Sequence, residues 1–195
     1  MSTLTVIYDA NALYPNVLRD ILIRLAQTGI FHAHWTEQIL DEVFHNARSN
    51  RPDLDPNKLR RTRTLICEAV DDCLVTEYEN LIKMVSLPDP DDRHVLAAAI
   101  RCGARVIVTE NKQDFPSSET DKYGIAIQGA DEFLCSQIQK SSTLVHQSVA
   151  DAATAFRNPT RTVDEVLDAL AKAGVRLPQD CSEDWEAVVS PQWSA

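Results

Sequence analysis

Residues 4–13, LTVIYDANAL, contain a short apolar run that ends at an aspartate. The first five residues of this stretch are largely apolar or β-branched, a composition that is typical of a buried strand. Apolar residues then recur at helical spacing until Gly29. We therefore predict a strand, a loop that begins at Asp9, and a helix.

The same alternation of strand and helix continues to about residue 139. Further strands are predicted at residues 30–35, 73–76, 105–109 and 125–127, with helices between them and a closing helix over residues 130–138. Strands that alternate with helices at this spacing indicate a parallel sheet with helices on both faces. The predicted fold class is therefore α/β, a three-layer α/β/α sandwich with a sheet of four to five parallel strands.

Beyond Lys140 the sequence has no further strand pattern. Helices are predicted near residues 144–156 and 163–173, the second beginning with the capping box Thr162-x-x-Glu165, and a last amphipathic stretch surrounds Trp185. We predict two parts, an α/β domain over residues 1–140 and a helical C-terminal extension over residues 141–195.

Composition limits the classes of function. No apolar run approaches the roughly 20 residues that cross a bilayer, and the N-terminus lacks the pattern of a signal peptide, so we expect a cytoplasmic protein. The five cysteines include no C-x-x-C pair, so we expect reduced thiols rather than a zinc site.

The net charge of −10 argues against tight, nonspecific binding of polyanions, because lysines and arginines provide that affinity. Six of the 19 basic residues nevertheless lie close together, and they could form a local RNA-binding face or a plain solvated helix face. These residues are Arg48, Arg51, Lys58, Arg60, Arg61 and Arg63.

Acidic residues recur where the predicted strands end. Asp9 ends the first strand, Asp114 follows the strand at residues 105–109, and Asp91 and Asp92 open the helix before that strand. Ligands of open parallel sheets collect at the carboxyl ends of the strands, and these two strands are neighbours in the usual doubly wound order. We therefore expect the carboxylates to share one cleft.

Several carboxylates in one cleft repel each other unless protons or a cation neutralise them. Ligand sets made only of oxygen favour Mg²⁺ or Mn²⁺, ions that promote attack of water on phosphorus. The pattern therefore predicts phosphodiester hydrolysis.

Structural roles remain open for several of these residues. Asp91 and Asp92 could serve only the dipole of their helix, Glu42 could be a solvated charge, and Asp114 could be a turn residue. A carboxylate that ends a buried strand, as Asp9 does, is seldom structural. His94 could approach the cleft, although a surface or packing role is the favoured interpretation.

Four blocks of the sequence resemble the motifs of the PIN-domain family, in order and at compatible spacing over residues 4 to about 139. They are YDANAL (8–13), ILDEV (39–43), DDRHVLAAA (91–99), and VTEN (108–111) with the following Asp114-Phe115. The resemblance implies a metal-dependent endoribonuclease that uses Mg²⁺ or Mn²⁺.

The resemblance to the PIN-domain family also implies roles for individual residues. The acidic positions are Asp9, Glu42, Asp92 and Asp114, with Asp91 and Asp89 as further candidate ligands, and the residues that orient the acids through hydrogen bonds are Asn11, Thr109 and Asn111.

The tail resembles the helical extension of some larger VapC-like toxins. The resemblance to the family, together with the size of the chain, implies the toxin of a type II toxin–antitoxin pair, with an RNA substrate and a cognate antitoxin. Since dimers are common in the family, it also implies a homodimer. Two alternatives stay open, a housekeeping RNA-processing PIN nuclease and a noncatalytic PIN module that binds RNA or protein. A phosphoacceptor receiver domain is disfavoured, because the end of its third strand, where Val75-Thr76-Glu77 stands, should carry an aspartate.

Overall fold

The computed structural model describes residues 3–156 and 160–177. Its four strands form one parallel sheet in the order β2-β1-β3-β4. The central pair, β1 and β3, aligns Tyr8 with Val108, so the residues that follow both strands lie side by side at the carboxyl edge. The strands are β1 (Leu4–Tyr8), β2 (Phe31–His34), β3 (Val106–Val108) and β4 (Ala126–Gln128).

Helices connect and follow these strands, which confirms the predicted α/β fold with C-terminal helices. The connecting helices are α1 (Ala10–Leu13), α2 (Asn16–Gln27), α3 (Glu37–Asn50), α4 (Pro56–Ala69), α5 (Glu79–Ile82), α6 (Arg93–Cys102) and α7 (Ser117–Thr120). Those after the sheet are α8 (Ala130–Lys140), α9 (Ser142–Ala155) and α10 (Val163–Lys172). Short 3₁₀ turns lie at Pro90–Asp92, Lys112–Asp114 and Asp121–Tyr123.

The strand predicted at residues 73–76 is absent, and this prediction was wrong. The segment makes only an isolated parallel bridge between Trp35 and Leu74 at the end of β2. Asp72 and Glu77 flank the segment with positive φ angles of 52° and 60°. Because extended backbone needs negative φ, the chain turns at both ends of the segment, and it pairs with the end of β2 only at this single bridge.

Capping side chains fix where α3 and α4 begin. The Thr36 hydroxyl accepts a hydrogen bond from the Ile39 N–H at 3.0 Å, and the Asp55 carboxylate accepts one from the Asn57 N–H at 2.8 Å. Such caps satisfy N–H groups that have no partner within the helix. Since α3 ends at Asn50 and the cap at Asp55 starts α4, only the short loop of residues 51–55 separates them, and the two helices form a helical hairpin.

Large aromatic side chains fill the core directly behind the end of β1. The Tyr8 ring stacks on Trp35 with 6.3 Å between centroids and meets Phe133 edge-on at 6.1 Å. All three side chains are fully buried. Aromatic contacts of this kind add to the free energy gained from burial. They hold the backbone immediately before Asp9 in place.

The C-terminal helices share this core rather than forming a separate one. Helix α9 packs on α2 and α8, and α10 packs on α9 and α2. Val145, Val149 and Val166 are fully buried in the same apolar cluster as the sheet. The predicted helices and the capping box at Thr162 are present, while the stretch around Trp185 lies outside the described residues. The boundary between residues 140 and 141 stays a prediction.

Neither disulfides nor membrane-spanning helices occur in the described part of the chain. Its four cysteines form no disulfide, and Cys181 lies outside the described residues. No helix between residues 3 and 177, apart from the undescribed positions, has the length and apolar character that crossing a bilayer requires.

Because α9 shares the core with α2, damage to α9 should destabilise the whole fold. We expect Val149→Ala to lower the free energy of unfolding by about 2 kcal/mol, since it deletes two buried methyl groups. Thermal unfolding followed by circular dichroism should show one transition at reduced temperature. The control Thr143→Ala, at an exposed position of α9, should stay within about 0.5 kcal/mol of wild type. A second, separate transition in the Val149→Ala variant would contradict the shared core.

Candidate active site

Asp9 lies at the carboxyl end of β1 and is almost completely buried. It caps α1, where its Oδ1 accepts a hydrogen bond from the Ala10 N–H at 2.6 Å. Only 3% of the residue is exposed. Burial disfavours the charged form and raises the pKa of Asp9 above its ordinary value, although hydrogen bonds from Thr109 and Ala10 act in the opposite direction. The site therefore contains a carboxylate largely removed from water.

A hydrogen-bond network ties Asp9 to the loop that follows β3. The Thr109 hydroxyl and the Asn11 amide both donate to Asp9 Oδ2 at 2.7 Å. Asn11 Oδ1 in turn accepts from the Glu110 N–H at 2.9 Å. Asn111 joins through its backbone, because its N–H donates to Thr109 Oγ1 at 3.1 Å while its side chain is exposed. The network fixes the direction in which the Asp9 carboxylate points.

Asp92 provides a second carboxylate, at the start of α6. Partial burial and three neighbouring carboxylates, those of Asp9, Asp89 and Asp114, raise the pKa of Asp92 to about 6. Carboxylates repel each other in this way only when they lie close together. Asp92 thus lies within electrostatic range of acidic residues that follow β1, precede α6 and follow β3.

Asp89 and Asp91 differ in placement although both flank the same 3₁₀ turn. The Asp89 side chain accepts a hydrogen bond from the Asp91 N–H at 2.8 Å and contributes to the repulsion at Asp92. Both residues are exposed. Of the two residues named as further candidate ligands, only Asp89 is close enough to contribute to the raised pKa of Asp92.

Glu42 and His94 meet at the same cleft from α3 and α6. Glu42 Oε1 lies 2.9 Å from His94 Nε2, and the charge of Glu42 contributes to the raised pKa of Asp9. His94 is 3% exposed, and neither ring nitrogen has an aligned hydrogen bond to any described residue. The contact with Glu42 therefore has the distance of an ion pair without the geometry of a hydrogen bond.

The sequence favours a surface or packing role for His94 over a place near the cleft, whereas the structure places it at the cleft, against Glu42. His94 stands two positions after Asp92, within the first turn of α6, so a site built on Asp92 had to bring it near. Its burial could not be read from the sequence, because the same spacing suits a histidine that packs elsewhere.

The donor set of the cleft fits a hard divalent cation. Its acidic groups offer oxygen, which Mg²⁺ and Mn²⁺ prefer, and their mutual repulsion would fall when a cation binds. No group of three histidine, cysteine, aspartate or glutamate side chains within the described ranges is arranged closely enough to form a complete metal site. Mg²⁺ keeps several waters and uses few protein carboxylates, so a complete set of protein ligands is not required.

The basic residues of the α3–α4 hairpin fall into two groups. Arg51 pairs with Asp53 at 2.7 Å, and Arg63 pairs with both Glu37 and Asp41. The other four, Arg48, Lys58, Arg60 and Arg61, are exposed and form no ion pair with any described residue. Their role in binding RNA stays a prediction.

Comparison with models of known protein families shows the family to which the chain belongs. A family model described as "PIN domain" matches residues 5–113, which is more than half of the sequence. The chain therefore belongs to the PIN-domain family, as the motifs predicted, and is not a receiver domain. A second model, described as "VapC50 C-terminal domain", matches residues 130–177 and so covers α8 to α10.

A curated relative agrees with this assignment. The Mycobacterium tuberculosis (strain ATCC 25618 / H37Rv) protein named "Putative ribonuclease VapC50" is 38% identical over 88 residues, which is 45% of this chain and 50% of the relative. The matched region thus spans about half the length of that relative. No solved structure matches the chain.

The crowded carboxylates should make the metal-free protein sensitive to pH. A pKa of Asp92 raised from 3.8 to about 6 means that the contribution of Asp92 to stability is most favourable below about pH 4 and is lost as pH rises through about 6, where Asp92 ionises in a partly buried place beside other carboxylates. We expect Asp92→Asn to remove this loss and to stabilise the protein at pH 7 by on the order of 1 kcal/mol, a figure reduced for solvent screening of a half-buried group.

Urea unfolding in EDTA at pH 4 and pH 7 measures this effect. Asp91→Asn is the matched control, because it removes the same charge from an exposed neighbouring position, and it should change stability little at either pH. Destabilisation by Asp92→Asn at pH 7 would show that the carboxylate is stabilised rather than repelled in the native state.

Proposed function

We propose that this protein is a metal-dependent endoribonuclease that hydrolyses RNA phosphodiester bonds. The observation that carries the proposal is the gathering of acidic side chains at the carboxyl edge of the sheet, where Thr109 and Asn11 fix the buried Asp9 and where burial together with the charges of Asp9, Asp89 and Asp114 raises the pKa of Asp92 to about 6. Such crowding costs stability in the absence of a cation and is therefore expected at a functional site. The name of the curated relative contains the word ribonuclease, which supports the same class of reaction.

Four acidic residues are the proposed catalytic and metal-binding groups, with Asp89 as an additional candidate ligand. Asp9, Asp92 and Asp114 would hold Mg²⁺ or Mn²⁺, and Glu42 would complete the site from α3. When bound, the ion supplies positive charge that lowers the pKa of water and stabilises the leaving oxygen. The chain contributes a fixed arrangement of negative oxygens, which requires little rearrangement during the reaction.

Thr109 and Asn11 are the proposed positioning residues. Each donates a hydrogen bond of 2.7 Å to the same oxygen of Asp9, which leaves the carboxylate one orientation. Groups that orient metal ligands in this way typically contribute 10–100-fold to metal affinity or activity. Asn111 supports the arrangement through its backbone N–H to Thr109.

The proposed biological role is that of a type II toxin with a cognate antitoxin. Support comes from the match of residues 130–177 to the C-terminal domain of VapC50 and from the similarity of the chain to the curated relative. We further propose a cytoplasmic location and a homodimer, as is common in this family. A housekeeping RNA-processing nuclease would have the same active site, so growth behaviour must separate the two roles.

Cleavage assays test the site directly. Purified protein should cut single-stranded RNA with Mg²⁺ or Mn²⁺ and not with EDTA. Asp9→Asn and Asp114→Asn should abolish the cleavage. Thr109→Val keeps the buried shape but removes the hydroxyl that donates to Asp9 and accepts from Asn11 and Asn111, and it should reduce cleavage by about 10–100-fold. Electrophoresis of a labelled RNA gives the rates.

Asp91→Asn is the control for these variants, because Asp91 is exposed beside the cluster, and it should keep nearly full activity. All variants must first show the thermal unfolding of a folded protein. Equal cleavage by wild type and Asp9→Asn would mean a contaminating nuclease. No cleavage under any metal would favour the noncatalytic alternative, a PIN module that only binds RNA or protein.

Expression in a bacterial host tests the toxin role. We expect wild type to arrest growth and Asp9→Asn to leave growth normal at equal protein level, since arrest would depend on RNA cleavage. Co-expression of the small protein encoded beside this gene should restore growth if that protein is the antitoxin. Normal growth with an active nuclease would favour the housekeeping role.

A further inference from the structure

A groove of about 590 Å³ lies between α3 and α4, outside the carboxylate cluster. On the α3 side it is lined by Asp41, Phe44 and Arg48, which recur every three or four residues and therefore share one helix face. Leu59, Arg60 and Arg63 form the facing wall on α4. Its volume is within the range of sites that enclose small molecules, which is about 300–1,000 Å³.

Arg63 holds the two walls of this groove in a fixed relation. It reaches from α4 to α3, where it pairs with Asp41 at 2.7 Å and with Glu37 and donates to the Glu37 backbone carbonyl at 3.1 Å. At the other end the loop of residues 51–55 joins the helices. The groove is therefore built by the fold and does not depend on a ligand to form.

The charge that remains available at the groove is positive. Arg48 and Arg60 line it and are exposed, and among described residues Arg60 bonds only the uncharged Asn57 while Arg48 has no partner. Asp41 also lines the groove, but its charge is already offset by Arg63. In a protein of net charge −10, two uncompensated guanidinium groups at one cavity favour an anionic ligand.

The rest of the lining consists of the apolar Phe44, Leu59 and Pro56 together with His45. Phe44 and Leu59 are half-buried. The guanidinium of Arg19, which belongs to α2, lies 6.0 Å from the centroid of the Phe44 ring. Aromatic rings beside cations are the usual means by which proteins bind unpaired nucleotides, because bases stack on the ring while the cations contact phosphates.

We propose that this groove binds an unpaired segment of single-stranded RNA, with its backbone on Arg48 and Arg60 and a base against Phe44. The inference rests on the proposed nuclease function and adds a substrate-binding site to it. Glu42 is adjacent to Asp41 on the same helix, and Arg48 is six residues further, roughly 9 Å along the axis. A strand that leaves the groove at Asp41 would pass around α3 by about 100° to reach Glu42 at the cleft.

A duplex does not fit this arrangement. Double-stranded RNA is recognised across a wide surface that spans successive grooves of the helix, whereas here the two cations and the ring enclose one small cavity. The groove should therefore distinguish unpaired from paired RNA, which makes the preference measurable.

Binding without cleavage tests the proposal on the full chain. The probe is a short fluorescein-labelled single-stranded RNA of mixed sequence, titrated with protein in EDTA at several salt concentrations and followed by anisotropy. The double variant Arg48→Ala/Arg60→Ala should weaken binding about tenfold and reduce the salt slope by about 1.4, the value for two phosphate contacts on a single strand. The same RNA annealed to its complement should bind more weakly to wild type.

The matched control is Lys58→Ala/Arg61→Ala, which removes two exposed charges from α4 at positions outside the groove lining. It should weaken binding clearly less than the groove variant. Phe44→Leu should weaken binding about tenfold without changing the salt slope, because stacking is not ionic. Thermal unfolding must confirm that each variant is folded.

Three outcomes would overturn the proposal. Equal losses in the groove and control variants would indicate diffuse electrostatic attraction. Unchanged binding in the groove variants would show that RNA does not bind in the groove, which would then be expected to bind another ligand, such as an acidic segment of a protein partner. Equal affinity for single-stranded and double-stranded RNA would show that the groove does not distinguish unpaired from paired RNA. None of these outcomes affects the proposed nuclease function, which is judged by metal-dependent cleavage and the Asp9→Asn variant.

Discussion

The hydrogen bond between Thr109 and Asp9 joins the two halves of this molecule. Its partners lie 100 positions apart in sequence and meet because β1 and β3 are adjacent parallel strands in register. The bond favours the charged form of a carboxylate that burial disfavours. Without the adjacent strands there would be no buried carboxylate at this edge, and without Thr109 and Asn11 the buried carboxylate would lack compensation.

The acidic side chains place negative charge at the edge of a tightly packed core. The aromatic cluster behind Tyr8 lies directly below Asp9, and Asp92 is partly buried at the start of α6. This burial, together with the charges of Asp9, Asp89 and Asp114, raises the pKa of Asp92. Burial and neighbouring charge together distinguish this edge of the sheet from acidic residues that are fully exposed to solvent.

The sequence predicted most of the fold because hydrophobic periodicity and capping residues are local signals. They located the helices of the tail and the capping box at Thr162. They failed at residues 73–76, because a composition typical of strands does not reveal the left-handed residues Asp72 and Glu77 at its two ends. The acidic positions followed from strand ends and family motifs, but contacts between helices, such as that of His94 with Glu42, depend on packing that no local pattern encodes.

The distance in sequence between the two sides of the site has a consequence for synthesis of the protein. A chain released from the ribosome only as far as α6 already carries Asp9, Glu42 and Asp92, yet it lacks β3, Thr109 and Asp114. β1 can pair with β3 only after β3 has been synthesised. The site therefore stays incomplete until more than half of the chain has emerged from the ribosome, and the carboxylate cluster forms late in synthesis.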